Sequence, residues 1–135
     1  MTYREAVSPN VGPVVVAFGG KVFALEPRTG KRLWSWAASS SLQVRLAVDE
    51  TRVYALVVST LTALDLATGA VLWTAETGSS DTLLASNGLI LVGGMGAARA
   101  FSRDGEKLWE DGFPGKGMGT VALAFNGCVA QSDQS

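Results

Sequence analysis

Arg28-Thr29-Gly30-Lys31-Arg32-Leu33-Trp34, Ala67-Thr68-Gly69-Ala70-Val71-Leu72-Trp73 and Arg103-Asp104-Gly105-Glu106-Lys107-Leu108-Trp109 are three copies of one element. Their tryptophans lie 39 and 36 residues apart. Recurrence at this interval marks a repeat architecture, and a period of about 40–45 residues is typical of a four-stranded propeller blade. Around each copy the order is the same: a β-rich segment, a turn, a second segment, a third, a Gly turn, and a fourth that opens on Leu-Trp.

The second segments are Val14–Phe18, Val53–Val58 and Leu89–Val92, and the third are Val22–Glu26, Leu61–Asp65 and Arg99–Ser102. The fourth begin at Arg32, Val71 and Lys107. Short apolar runs between turn signals read as antiparallel meanders. Of the first segments, Leu42–Val48 alternates with Leu42, Val44, Leu46 and Val48 on one face, the pattern of a half-buried strand. Asp81–Ser86 fills the same slot in the third repeat, and Glu5–Pro9 fills it poorly in the first. Near the C-terminus, Leu123-Ala124-Phe125-Asn126-Gly127 matches Leu84-Ala85-Ser86-Asn87-Gly88, so a fourth repeat opens with an Asn-Gly hairpin. The expected fold is all-β: three blades (about 3–38, 40–77 and 80–112) and half of a fourth (117–135), incomplete as a single chain.

The motif has a physical reading. Gly30, Gly69 and Gly105 sit between two strands, where a turn position with positive φ suits a residue without Cβ. Thr29, Thr68 and Asp104 precede them and are expected to hydrogen-bond the turn backbone. Trp34, Trp73 and Trp109 offer large flat faces to the neighbouring blade and are expected to be largely buried there. Trp36 has no counterpart, since Ala75 and Asp111 stand in its place, and serves either local packing or an exposed contact.

These repeats resemble the PQQ-like β-propeller repeats shared by quinoprotein alcohol dehydrogenases and the outer-membrane assembly propeller of bacteria. The recurring element of that family, Ala-x-Asp-x-x-Thr-Gly-Lys-x-x-Trp, is its tryptophan-docking motif. Ala24 to Trp34 departs from it only in Glu26 for Asp. Ala63 to Trp73 has Ala70 for Lys, and Ala100 to Trp109 is one residue shorter, with Ser102 at the acidic position. The resemblance implies a structural, blade-docking role for these residues. It also raises a quinone enzyme, with PQQ and calcium at the propeller centre. No cofactor or metal is expected of this chain, PQQ and calcium entering only if it is part of a larger quinoprotein. Asp49, Glu50 and Asp81 lie near loops but are not spaced as a metal cage.

Composition narrows the function. Cys128 is alone and histidine is absent, so Cys–His and Ser–His–Asp catalysis and Cys/His zinc sites have no residues here. The net charge of −1 comes with no basic stripe, which argues against a nucleic-acid partner. Apolar runs such as Val53–Val58 are far shorter than the roughly 20 residues of a membrane-spanning helix. Gly93-Gly94-Met95-Gly96 and Gly115-Lys116-Gly117-Met118-Gly119 match no phosphate loop and read as connections. The N-terminus lacks the apolar core of a signal peptide, giving a cytoplasmic chain as written, or a periplasmic or cell-envelope one if a signal was removed. A non-catalytic binding or scaffold module is expected. Its partner is a second copy or a protein supplying further blades, because three and a half blades leave open faces; the alternative is a fragment of a PQQ-dependent dehydrogenase or of a larger sensor or accessory propeller.

Overall fold

A computed structural model describes residues 12–113, 121–125 and 128–130. Thirteen strands occur among them and no helix, so none is long and apolar enough to cross a membrane. The first sheet is β1 (Val14–Phe18), β2 (Lys21–Leu25) and β3 (Arg32–Ala37). The second holds β4 (Val44–Val48), β5 (Arg52–Val57), β6 (Thr60–Asp65) and β7 (Val71–Glu76). The third holds β8 (Thr82–Ser86), β9 (Leu89–Gly94), β10 (Ala97–Ser102) and β11 (Lys107–Asp111), and β12 (Leu123–Phe125) pairs with β13 (Cys128–Ala130). Each sheet is an antiparallel meander with strands in chain order. The first strands converge, β4 lying beside β8 and β8 beside β12, which leaves β3, β7 and β11 outermost. This is an open run of propeller blades. The expected first strand at Glu5–Pro9, the glycine cluster at 115–119 and the side chain of Cys128 lie outside what the structure describes.

Two expectations need correction. Leu42 lies before β4 and is exposed, and β4 does not alternate: Val44 to Ala47 are all partly buried. Its position as the innermost strand of its sheet, with β1 on one side and β8 on the other, covers both faces partially instead of one fully. The second strand of that blade ends at Val57, because Val58 adopts φ 57° and opens the turn to β6.

Every blade carries one irregularity at the same place. Trp34 pairs with Ala24 but Arg32 with Leu25, so Leu33 is an extra residue in β3. The same shift makes Leu72 the extra residue of β7 and Leu108 that of β11. A bulge of this kind re-aims the side chains on either side of it. Two adjacent large apolar residues cannot share one face of a regular strand. The bulge leaves the leucines exposed and turns Trp34 and Trp73 toward the next blade.

The core lies between the second and third blades. Tyr54, Leu56, Leu61 and Ala63 face Leu83, Ile90, Val92 and Phe101, with Trp73 and Ala75 at its edge. Phe101 is 2% exposed, and we expect Phe101→Ala to cost roughly 3–5 kcal/mol by chemical denaturation, as truncation of a buried aromatic does.

Candidate functional site

The seams between blades are built from the Gly turns upward. In the first blade Glu26 Oε1 accepts hydrogen bonds from the backbone N–H groups of Arg28 (2.7 Å) and Thr29 (2.8 Å). In the second, Asp65 Oδ1 accepts from Ala67 (2.9 Å) and Thr68 (3.1 Å). The threonine hydroxyls then accept from the residue after the glycine, Thr29 from Lys31 and Thr68 from Ala70, both at 3.2 Å. The third turn lacks the carboxylate, and Ser102 Oγ takes its place, accepting from Asp104 and Glu106 at 3.2 Å each. Asp104, expected to tie the turn itself, instead projects into solvent with its side chain 90% exposed, 3.8 Å from Arg52. The shorter third turn moves that task to the residue at the acidic position.

These turns hold three glycines at φ between 74° and 89°. Two of them receive an indole. Trp34 lies flat on Gly69, where an added Cβ would stand 2.6 Å from the ring, and Trp73 lies on Gly105 at 2.8 Å. Each indole N–H donates to the carbonyl of the residue after the acidic position: Trp34 Nε1 to Leu66 O at 2.8 Å and Trp73 Nε1 to Arg103 O at 2.6 Å. Only glycine permits this approach, and the bond spares a half-buried indole donor from being left unpaired.

Trp109 differs. It is 49% exposed, and the expectation that all three tryptophans are largely buried does not hold for it. No described Gly turn receives its indole, since Gly69 and Gly105 already hold Trp34 and Trp73. Gly30 is the converse: its turn matches that of Gly69, yet no described residue lies within 4 Å of where its Cβ would be. The described chain thus contains two filled seats, one empty seat and one unseated indole.

Between the second and third blades lies a polar cluster that sequence reasoning missed. Arg103 Nε donates to Asp49 Oδ2 at 2.8 Å, and its Nη2 donates to Thr51 Oγ1 at 2.7 Å. Tyr54, packed against Trp73 with ring centroids 6.2 Å apart, donates its hydroxyl to Asp49 Oδ2 at 2.7 Å. The Arg103 carbonyl also accepts from Arg52. One residue therefore binds the neighbouring blade through its backbone and its side chain. The only hint in the sequence is an arginine where the other turns carry Pro27 and Leu66.

Burial opposes the charge on Asp49, but the hydrogen bonds from Arg103, Tyr54 and the N–H groups of Thr51 and Arg52 outweigh it, holding its carboxyl at about 2. Burial first, and then the Asp49 charge, push the Tyr54 hydroxyl up to about 12. A cavity of about 480 Å³ adjoins the cluster, walled by Asp49, Glu50, Ser86 and Arg103 among others.

This donor set does not suit the calcium that a PQQ site requires. Asp49 is spent on Arg103 and Tyr54, and among the described residues no three Asp, Glu, His or Cys side chains gather as a metal cage.

A family model described as outer membrane protein assembly factor BamB, built on PQQ-like repeats, matches residues 18–130. The chain belongs to this family. Among solved structures, BamB from Moraxella catarrhalis is 26% identical, with a TM-score of 0.58 over 69% of this chain and 30% of that one. Dihydro-heme d1 dehydrogenase NirN shares 18% identity and a TM-score of 0.69 over 92% of this chain and 30% of its own. Quinohemoprotein alcohol dehydrogenase from Comamonas testosteroni shares 23% and 0.61, over 74% and 19%. The last two likenesses concern the fold alone. The chain spans less than a third of each of these proteins. A search of curated protein sequences gives no significant match.

Two predictions follow from this geometry. Gly30→Ala should cost only left-handed backbone strain, about 1–2 kcal/mol. Gly69→Ala should add the collision with Trp34, roughly a further 1–3 kcal/mol, read as a lower urea midpoint at unchanged m. The second concerns pH. Because folding lowers the Asp49 value from 3.8 to about 2, its stabilisation is complete above pH 4 and lost as pH falls toward 2. Folding raises Tyr54 from 10.0 to about 12, so its contribution is lost as pH climbs through that interval. Melting temperatures should fall at both limits, and Asp49→Asn should flatten the acid limb.

Proposed function

We propose that this chain is a non-catalytic propeller segment that acts by binding protein, its open faces completed by further blades. One observation carries the reading. The chain presents an unseated indole, Trp109, on its third blade and an empty seat of the same design, the Gly30 turn, on its first. Two internal seams show what such a pair does when it meets. Membership in a family described as an outer membrane protein assembly factor supports protein binding over turnover. So does the employment of the polar cluster as a tie between blades, with Asp49 and Arg103 satisfied by each other. A second copy of this chain is the simplest source of both missing halves.

Sedimentation velocity on the 135-residue chain tests this. The parent should self-associate, whereas Trp109→Ala and Gly30→Asn should each sediment as monomers. Asn tolerates the left-handed turn but covers the seat. Mixing the two variants should restore association, since one keeps the seat and the other the indole. A monomeric parent, or variants that assemble like it, removes self-association. Dye reduction after addition of PQQ and calcium, if it showed turnover, would replace the binding role with a catalytic one.

A further inference from the structure

The two faces of the second blade are unlike. Toward the third blade it presents Tyr54, Leu56, Leu61 and Ala63, a dry apolar surface. Toward the first it presents buried Val53, Ala55, Val57 and Leu64 together with Thr60, Thr62 and Thr74, with Thr62 and Thr74 directly opposite each other in the ladder. These threonines line a cleft of about 400 Å³ between the first two blades, within the range of small-molecule sites. Trp36 forms the opposite wall, on the same face of β3 as Trp34 but without its carbonyl partner. It is the residue that breaks the repeat, for the other blades carry Ala75 and Asp111 there.

Thr62 is 4% exposed, but its hydroxyl is not buried without a partner: the one such side-chain atom among the described residues is Arg99 Nη1. The threonine instead opens on the cleft that it lines. At the rim, Val58 holds φ 57°, a left-handed conformation that a β-branched side chain adopts only under constraint. Thr60 is already engaged by Glu76 at 3.3 Å, which leaves Thr62 and Thr74 as the threonines of the lining open to a ligand. No charged side chain lines the cleft.

We propose that this cleft binds an uncharged saccharide. The indole of Trp36 offers a flat apolar face to the C–H face of a sugar ring. The hydroxyls of Thr62 and Thr74 each supply one donor and two acceptor positions, matching sugar hydroxyls that do the same. The lack of charge in the lining selects against acidic sugars and phosphorylated ligands, whose charge would be desolvated with no counter-ion. Water fills the role of the ligand hydroxyls in the free protein at lower specificity.

Titration of the full chain with cellobiose, maltose and N,N′-diacetylchitobiose, with digalacturonic acid as the charged comparison, tests the proposal by tryptophan fluorescence and saturation-transfer NMR. At least one neutral disaccharide should bind saturably in the millimolar range, with the charged one weaker. Trp36→Ala should weaken binding at least about tenfold, as loss of a central aromatic contact does. Thr62→Val keeps the shape of the side chain and removes its hydroxyl. It should weaken binding about three- to tenfold, with the unfolding midpoint close to the parent's, since the hydroxyl faces water in the free protein. Weakened binding at unchanged stability separates a ligand contact from a packing role, and it holds even if Trp36→Ala fails to fold. Absence of saturable binding by all three neutral sugars at tens of millimolar overturns the proposal, as does binding that Thr62→Val leaves unchanged.

Discussion

Each filled seam closes on one contact, an indole lying on a glycine with its N–H directed at a single backbone carbonyl. The geometry around it follows from that requirement. The glycine must have positive φ to clear the ring, so the turn is of a kind that needs a side-chain acceptor to tie its N–H groups. Glu26, Asp65 and Ser102 provide it. The tryptophan must leave the plane of its own sheet at the right angle, and a bulge at the preceding leucine supplies the rotation. Remove the contact and neither the bulge nor the tied turn has a reason to exist.

Much of this architecture was legible because it repeats. The interval between tryptophans gave the blade, and Thr-Gly or Asp-Gly before Leu-Trp placed the turn between third and fourth strands where the structure has it. The Asn-Gly pair at 126–127 correctly separated β12 from β13. What escaped reading depends on partners distant in sequence. Arg103 looks like any surface arginine until the fold sets it 2.8 Å from Asp49, 54 positions earlier. The exposure of Trp109 is set by what stands beside its blade, which its own motif does not encode. The partial burial of Val44 to Ala47 in β4 reflects neighbours on both sides, whereas periodicity assumes one wet face and one dry. The bulge was in view: Leu-Trp recurs three times, and a period of two forbids both residues from facing inward.

The two seams also differ in how they are held. Between the second and third blades, apolar packing, the indole bond and the Asp49–Arg103 pair coincide. Between the first and second, the indole bond and the buried Val22, Ala24, Val53 and Leu64 are accompanied by a cleft lined with hydroxyls. An ion pair at one seam and a cleft at the next mean that the blades are not interchangeable, although their backbones are built alike. The differences lie in side chains that the repeat leaves free, such as Trp36 and Arg103.

The indole contact also has a direction. A blade gives its tryptophan forward and receives one from behind, so the sheets are joined as links of a chain, each with a hook at one end and an eye at the other. Whole links added or lost leave every remaining junction intact, provided the order of hook and eye is kept. A ring of such links has no intrinsic first member. The reading frame of its gene can start at any link, and propellers of different blade number can arise by duplication of a single unit without redesign of any seam.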